Sequence, residues 1–166
     1  ETTLVLEHGG ADLFRRVMIG TERRKRTAGQ HEERDGFYAC KPALDLRYVF
    51  GQVRNGIAFL HDNDVAHMDL KLDNVVVDDL GTARIVDFGM ARLEGRTPIR
   101  RSCGSRQYQS PQAFSRREFQ PVHNDVWAFG IMVYCALNVT FAWQEGAIAG
   151  DKMYDIFVKH QREYAR

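Results

Sequence analysis

Apolar positions recur at helical spacing most clearly over residues 45–60, where Leu46, Val49, Phe50, Val53, Ile57 and Leu60 fall on one face. Asp45 stands just ahead of them as a side-chain acceptor for the first-turn N–H groups, so a helix is predicted to open there. Residues 3–6 read as the end of a strand, broken by Gly9-Gly10 before Leu13, Phe14, Val17 and Met18 at helical spacing. The β-branched runs at 75–77 and 83–86, joined by Asp78-Asp79-Leu80-Gly81, predict a hairpin, and residues 64–74 ahead of it read as loop. Ser110-Pro111 reads as the cap and first position of a short helix. The unbroken apolar run 126–137, with Asp125 as its cap, predicts a buried core helix to about Asn138, well short of the roughly 20 residues that span a membrane. Asp151 opens a last amphipathic helix with Met153, Ile156 and Phe157 on one side. The pattern predicts a mainly α chain with one small β-hairpin, and no repeat or low-complexity segment divides it.

Composition narrows the function classes. The 166 residues are 44% hydrophobic, enough for a continuous core without staples, and 23 Lys plus Arg against 22 Asp plus Glu leave a formal charge of +1. That balance gives no global attraction to nucleic acid or an anionic membrane. The basic run Arg23, Arg24, Lys25 and Arg26 sits in a polar stretch, 21–34, that reads as exposed loop. Cys40, Cys103 and Cys135 are widely spaced and odd in number, which argues against a disulfide framework or zinc ribbon and for a reducing compartment. With no secretory pattern at the start, the expected location is intracellular, cytoplasmic or nuclear, with no membrane partner. His61 and His67 lack zinc-helix spacing, and Phe119, Trp127, Phe129, Phe141 and Trp143 read as core aromatics rather than a nucleic-acid platform.

The chemistry is concentrated in His67-Met68-Asp69-Leu70-Lys71-Leu72-Asp73-Asn74 and, beyond the hairpin, Asp87-Phe88-Gly89. Hairpin closure is expected to fold Asp87 back towards Asp69 and Asn74, gathering two carboxylates, an amide oxygen and the Lys71 ammonium. Hard oxygen donors beside a lysine suit Mg²⁺ and phosphate. Here the sequence resembles the protein kinase family, whose catalytic loop reads H-R-D-L-x-x-x-N and whose metal motif is D-F-G.

By that resemblance Asp69 is the catalytic aspartate, Lys71 faces the transferring phosphate, and Asn74 with Asp87 hold Mg²⁺ on ATP. Val76 would floor the adenine. Glu7 and His8 would lie in the hinge, and Asp12 would contact the ribose. His67 is expected to pack beneath Phe88. The run Cys103 to Gln112 is similar to the end of a kinase activation segment, with Ser105 bridging the catalytic aspartate and lysine. The run from Asp125 to Gly130 is similar to the start of the buried helix of the large lobe, whose aspartate supports the catalytic loop.

The resemblance implies a kinase-like C-terminal lobe over 1–166, entered at the hinge, cut at both ends and with the N-terminal lobe absent. Its implied activity is ATP-dependent transfer to serine or threonine hydroxyls of a protein substrate, a specificity suggested by Lys71 and Ser105. Three departures qualify it. Met68 replaces the arginine that often grips an activating phosphate, which makes switching through Thr97, Ser102 or Ser105 unexpected; Gln112 replaces the glutamate of A-P-E; and no Gly-rich phosphate loop is present. An isolated lobe would be inactive alone and would leave an apolar lobe interface for a partner to cover. The alternative is a pseudokinase or lobe fragment acting as a protein-binding module.

Overall fold

A computed structural model describes residues 10–17, 45–100, 103–115 and 117–164. The strand at 3–6, the hinge pair Glu7 and His8, the Arg23 to Arg26 run and Cys40 lie outside them.

Strand β1 (Ala11–Asp12) leads directly into helix α1 (13–17). It pairs antiparallel with β3 (Val75–Val77), which pairs with β4 (Ala83–Ile85), giving the order β1-β3-β4 with Asp12 opposite Val76 and Val75 opposite Ile85. Gly10, at φ +99°, lets the chain enter this sheet, since a Cβ there would collide with the Val77 carbonyl. The hairpin turn is held by Asp78, whose Oδ1 accepts the Leu80 and Thr82 N–H groups at 3.0 and 2.9 Å.

Helix α2 (Leu46–Asp62) forms where the periodicity places it. Asp45 Oδ1 accepts the Arg47 N–H at 3.0 Å, and Val49, Phe50, Val53 and Ile57 are buried. Gln52 at its middle finishes the edge of β4: its amide donates to the Gly81 carbonyl at 2.9 Å and accepts the Ala83 N–H at 3.1 Å.

Residues 64–74, read from sequence as loop, contain more order than that. Strand β2 (Val65–Ala66) pairs with β5 (Arg92–Leu93), and Leu72–Asn74 form a 3₁₀ turn. These pieces are too short to leave a periodic signature.

Helix α3 (Pro111–Phe114) starts at the proline after Ser110, as predicted. Helix α4 (Pro121–Asn138) corrects the sequence reading: it begins at Pro121, and Asp125 lies inside it rather than capping it. Proline at the first helical position supplies the start signal, having no N–H to satisfy. Nor is the apolar run uniformly buried. Ala128, Ile131, Met132, Cys135 and Ala136 enter the core, while Val126 and Leu137 are 59% and 66% exposed.

Helix α5 (Lys152–Tyr164) is capped by Asp151, whose Oδ1 accepts the Met153 and Tyr154 N–H groups at 3.0 and 3.2 Å. It docks through aromatic rings. Trp143 stacks on Trp127 at 5.8 Å and meets Tyr154 edge-on at 5.6 Å, while Met153, Ile156 and Phe157 stay partly exposed. Among the described residues no helix is long and apolar enough to cross a membrane.

The main core joins Leu13, Val49, Val53, Leu70, Leu72, Val75, Val77 and Met132, so α1, α2, α4 and the hairpin meet around the segment that follows Asp69. A second, smaller cluster gathers Ala66, Met68, Ala113, Phe119 and Val122, with Ile99 and Cys103 packed on it. Together the two clusters clamp the loop 67–74 from both sides.

Candidate active site

The loop enters the site from β2, and its backbone is fixed from α4. Asp125 is fully buried, and its Oδ2 and Oδ1 accept the N–H groups of His67 at 2.7 Å and Met68 at 2.8 Å. His61, on the last turn of α2, places Nε2 3.0 Å from the same Oδ2. A buried carboxylate is costly unless its lone pairs are used, and here three donors use them.

His67 is also fully buried, with its ring 4.9 Å from that of Phe88, the packing expected of it. Its Nε2 lies 3.0 Å from the Val86 carbonyl, a pure acceptor, so the ring proton sits on Nε2 and Nδ1 accepts the Asp69 N–H at 3.3 Å. Met68 takes a left-handed conformation at φ 67° and is buried in the second cluster. Where an arginine would present a charge, this chain presents a thioether to Phe119 and Val122.

These constraints aim Asp69. Its Oδ1 accepts the Ser105 N–H at 2.7 Å, while its Oδ2 lies 3.1 Å from Lys71 Nζ and 3.2 Å from Asn74 Nδ2. Lys71 Nζ also donates to Ser105 Oγ at 3.2 Å, and Asn74 Nδ2 to the Asp69 carbonyl at 2.9 Å. Asp69, Lys71, Asn74 and Ser105 therefore form one bonded cluster.

Asp87 joins that cluster only through the backbone. Val86, just before it, donates its N–H to the Asn74 carbonyl at 3.0 Å, but the Asp87 side chain is exposed and is hydrogen-bonded to neither Asn74 nor Asp69. Its residue is left-handed, at φ 64° and ψ 72°, and Oδ1 accepts the Gly89 N–H at 3.3 Å. Asp12 and Val76 face each other across β1 and β3, and Asp12 Oδ1 caps α1 by accepting the Arg15 N–H at 2.7 Å.

The donor set fits a magnesium ion. With Asn74 Nδ2 committed to Asp69, its oxygen is the uncommitted end of the amide; among the described residues neither it nor Asp87 Oδ2 has a partner. One amide oxygen and one carboxylate, with phosphate oxygens to complete the shell, is a shape magnesium accepts. Among the described residues no three His, Cys, Asp or Glu side chains are grouped to hold a metal ion by themselves.

Sequence reading missed three side chains that hold this site in place: His61, Gln109 and Asn124. Asn124 Oδ1 accepts the Ser110 N–H at 2.9 Å, and Gln109 bonds the backbone just ahead of Ser105. Tyr108, close by in the core, has its phenol pushed well above the usual tyrosine range by burial first and by the nearby Cys135 second.

Asp69 is thus held by the Lys71 ammonium and the Ser105 backbone N–H, while the Ser105 hydroxyl accepts from Lys71. The family model for the protein kinase domain matches residues 3–164, and the chain belongs to that family, as a eukaryotic-type kinase fragment. Sperm motility kinase Z of Mus musculus is 36% identical over 103 residues, 61% of this chain and 21% of the relative. CBL-interacting protein kinase 17 of Oryza sativa subsp. japonica is 30% identical over 139 residues, 81% of this chain and 27% of the relative. CBL-interacting serine/threonine-protein kinase 1 of Arabidopsis thaliana is 30% identical over 133 residues, 78% and 26% respectively. The chain spans about a quarter or less of the length of these relatives.

Proposed function

We propose that this chain forms the large-lobe half of a protein kinase active site and, in a domain completed by a small lobe, transfers the γ-phosphoryl group of ATP to serine or threonine hydroxyls of protein substrates. The observation that carries the reading is the Asp69 carboxylate, held between the Ser105 N–H at 2.7 Å and Lys71 Nζ at 3.1 Å.

An incoming hydroxyl donates its hydrogen bond to Asp69. As its oxygen bonds to the γ-phosphorus and the bond to the ADP oxygen breaks, the proton passes to the carboxylate. Lys71 is near enough to Asp69 to offset charge on the transferring group, and Ser105 Oγ holds that ammonium in place. Asn74 Oδ1 and the Asp87 carboxylate would hold Mg²⁺, which neutralises phosphate charge when bound. The Lys71 to Ser105 bond and the serine/threonine specificity in the name of the Arabidopsis relative both support serine and threonine as acceptors.

The test is Asp69→Asn in the full-length protein, assayed by radiolabelled phosphate transfer. The amide keeps the shape but loses the basicity, and kcat is expected to fall about 10²- to 10⁴-fold with ATP binding retained. Undiminished transfer would overturn the assignment.

A further inference from the structure

Gln109 is a polar side chain with no role in the sequence-derived site, yet only 8% of it is exposed. Its Nε2 donates to two carbonyls, Cys103 at 3.0 Å and Gly104 at 2.7 Å, so both amide hydrogens are spent on the two residues ahead of Ser105. The 3₁₀ turn Arg106–Tyr108 closes the same ring from within, through Tyr108 N–H to the Ser105 carbonyl at 3.0 Å and Gln109 N–H to the Arg106 carbonyl at 3.2 Å.

Gly104 lies against the catalytic loop with no side chain between. At φ +88°, a Cβ would collide with the Met68 carbonyl and come within 3.0 Å of Asp69 Oδ1. The Gly104 carbonyl and the Ser105 N–H are opposite edges of one planar peptide unit. Fixing the carbonyl therefore fixes the direction of the N–H, and that N–H is the 2.7 Å donor to Asp69.

We propose that Gln109 is a positioning residue whose side-chain amide, by gripping the Gly104 carbonyl, aims the Ser105 N–H at Asp69 and so sets the orientation of the carboxylate. The catalytic consequence rests on the phosphoryl-transfer reading above; the anchoring itself does not. Glycine at 104 and the amide at 109 then form one device: the first lets the backbone approach, and the second stops the peptide plane from turning.

Two substitutions in the full-length protein separate the possibilities. Gln109→Met keeps length and removes the donors, while Gln109→Glu keeps shape and turns acceptors towards both carbonyls. Amide hydrogen exchange at Ser105 is expected to quicken about tenfold or more in both at neutral pH, the loss of one hydrogen bond to a charged acceptor.

Under the kinase reading kcat falls about 10- to 100-fold while KM for ATP holds, because the lost bond orients the carboxylate without touching nucleotide. Gln109→Glu carries a further signature. As pH falls its buried carboxyl protonates and regains an O–H donor, so its kcat recovers relative to wild type, whereas that of Gln109→Met does not.

Ser105 exchange unchanged in both variants overturns the anchor. A parallel loss of kcat and ATP affinity without acid recovery also overturns it, as general loosening. Faster Ser105 exchange in a protein whose wild type transfers no phosphate keeps the anchor and removes the reading on which its catalytic role rests.

Discussion

Asp69 and Asp87 stand on either side of the β3–β4 hairpin, and the chain treats the two carboxylates in opposite ways. Asp69 is closed in by a backbone N–H, an ammonium and an amide, on a loop pinned by Asp125 from beneath. Asp87 is exposed and left-handed, and among the described residues it is bonded only to the N–H of Gly89 two residues on. Under the proposed function the difference follows from what each group meets. A proton acceptor works only if it is aimed before the substrate arrives, so the protein supplies its surroundings in advance. A ligand for a cation that arrives with phosphate is aimed by the cation's own charge, and an exposed carboxylate costs less while it waits.

The deepest way to break the comparison is to remove the support under the aimed end. Asp125→Ala leaves two buried N–H groups and His61 without their acceptor, and stability is expected to fall about 3–5 kcal/mol, read from the urea midpoint. A change below about 1 kcal/mol would mean that the loop is held by the two apolar clusters instead.

Asp151 sharpens it, as a second buried carboxylate closed by backbone donors. Burial alone would push its carboxyl up, but N–H groups of Glu145, Tyr154, Gln144 and Met153 outweigh that and hold it below the usual range. Because the folded value is depressed, the stabilisation is complete above the unfolded carboxyl near pH 4 and drains away as pH falls through the folded value below it. Asp151→Ala should cost about 0.5–2 kcal/mol at neutral pH and flatten that acid limb of a stability profile.

The smallest effect belongs to the exposed end. Asp87→Asn should leave stability within about 0.5 kcal/mol, as at other surface positions, while raising the Mg²⁺ concentration needed for half-maximal transfer. A large loss of stability would show that Asp87 is as built-in as Asp69.

What sequence could reveal divides along the range of each interaction. Asp45, Ser110 and Asp151 cap helices two or three residues away, and local spacing exposed all three. Asp125 has the same chemistry but bonds His67 and Met68, 58 and 57 residues earlier, so reading it locally placed the start of α4 five residues late. Its support of the loop that carries Asp69 came from family resemblance alone. His61 and Asn124 were invisible for the same reason, since nothing near them in sequence names Asp125 or Ser110 as partner. Met68 was legible as a lost arginine, but its place among Ala66, Ala113, Phe119 and Val122 emerges only when three elements meet.

The Asp125 contact also orders events in time. During synthesis at about 5–20 residues per second, the 56 residues from Leu70 to Asp125 take about 3–11 s to emerge. Until then the N–H groups of His67 and Met68 have no carboxylate to meet, and the ring of Phe88 has no settled imidazole to pack on. The loop that carries Asp69 is made early and finished late, so a nascent chain has its chemistry encoded well before it can hold it in shape.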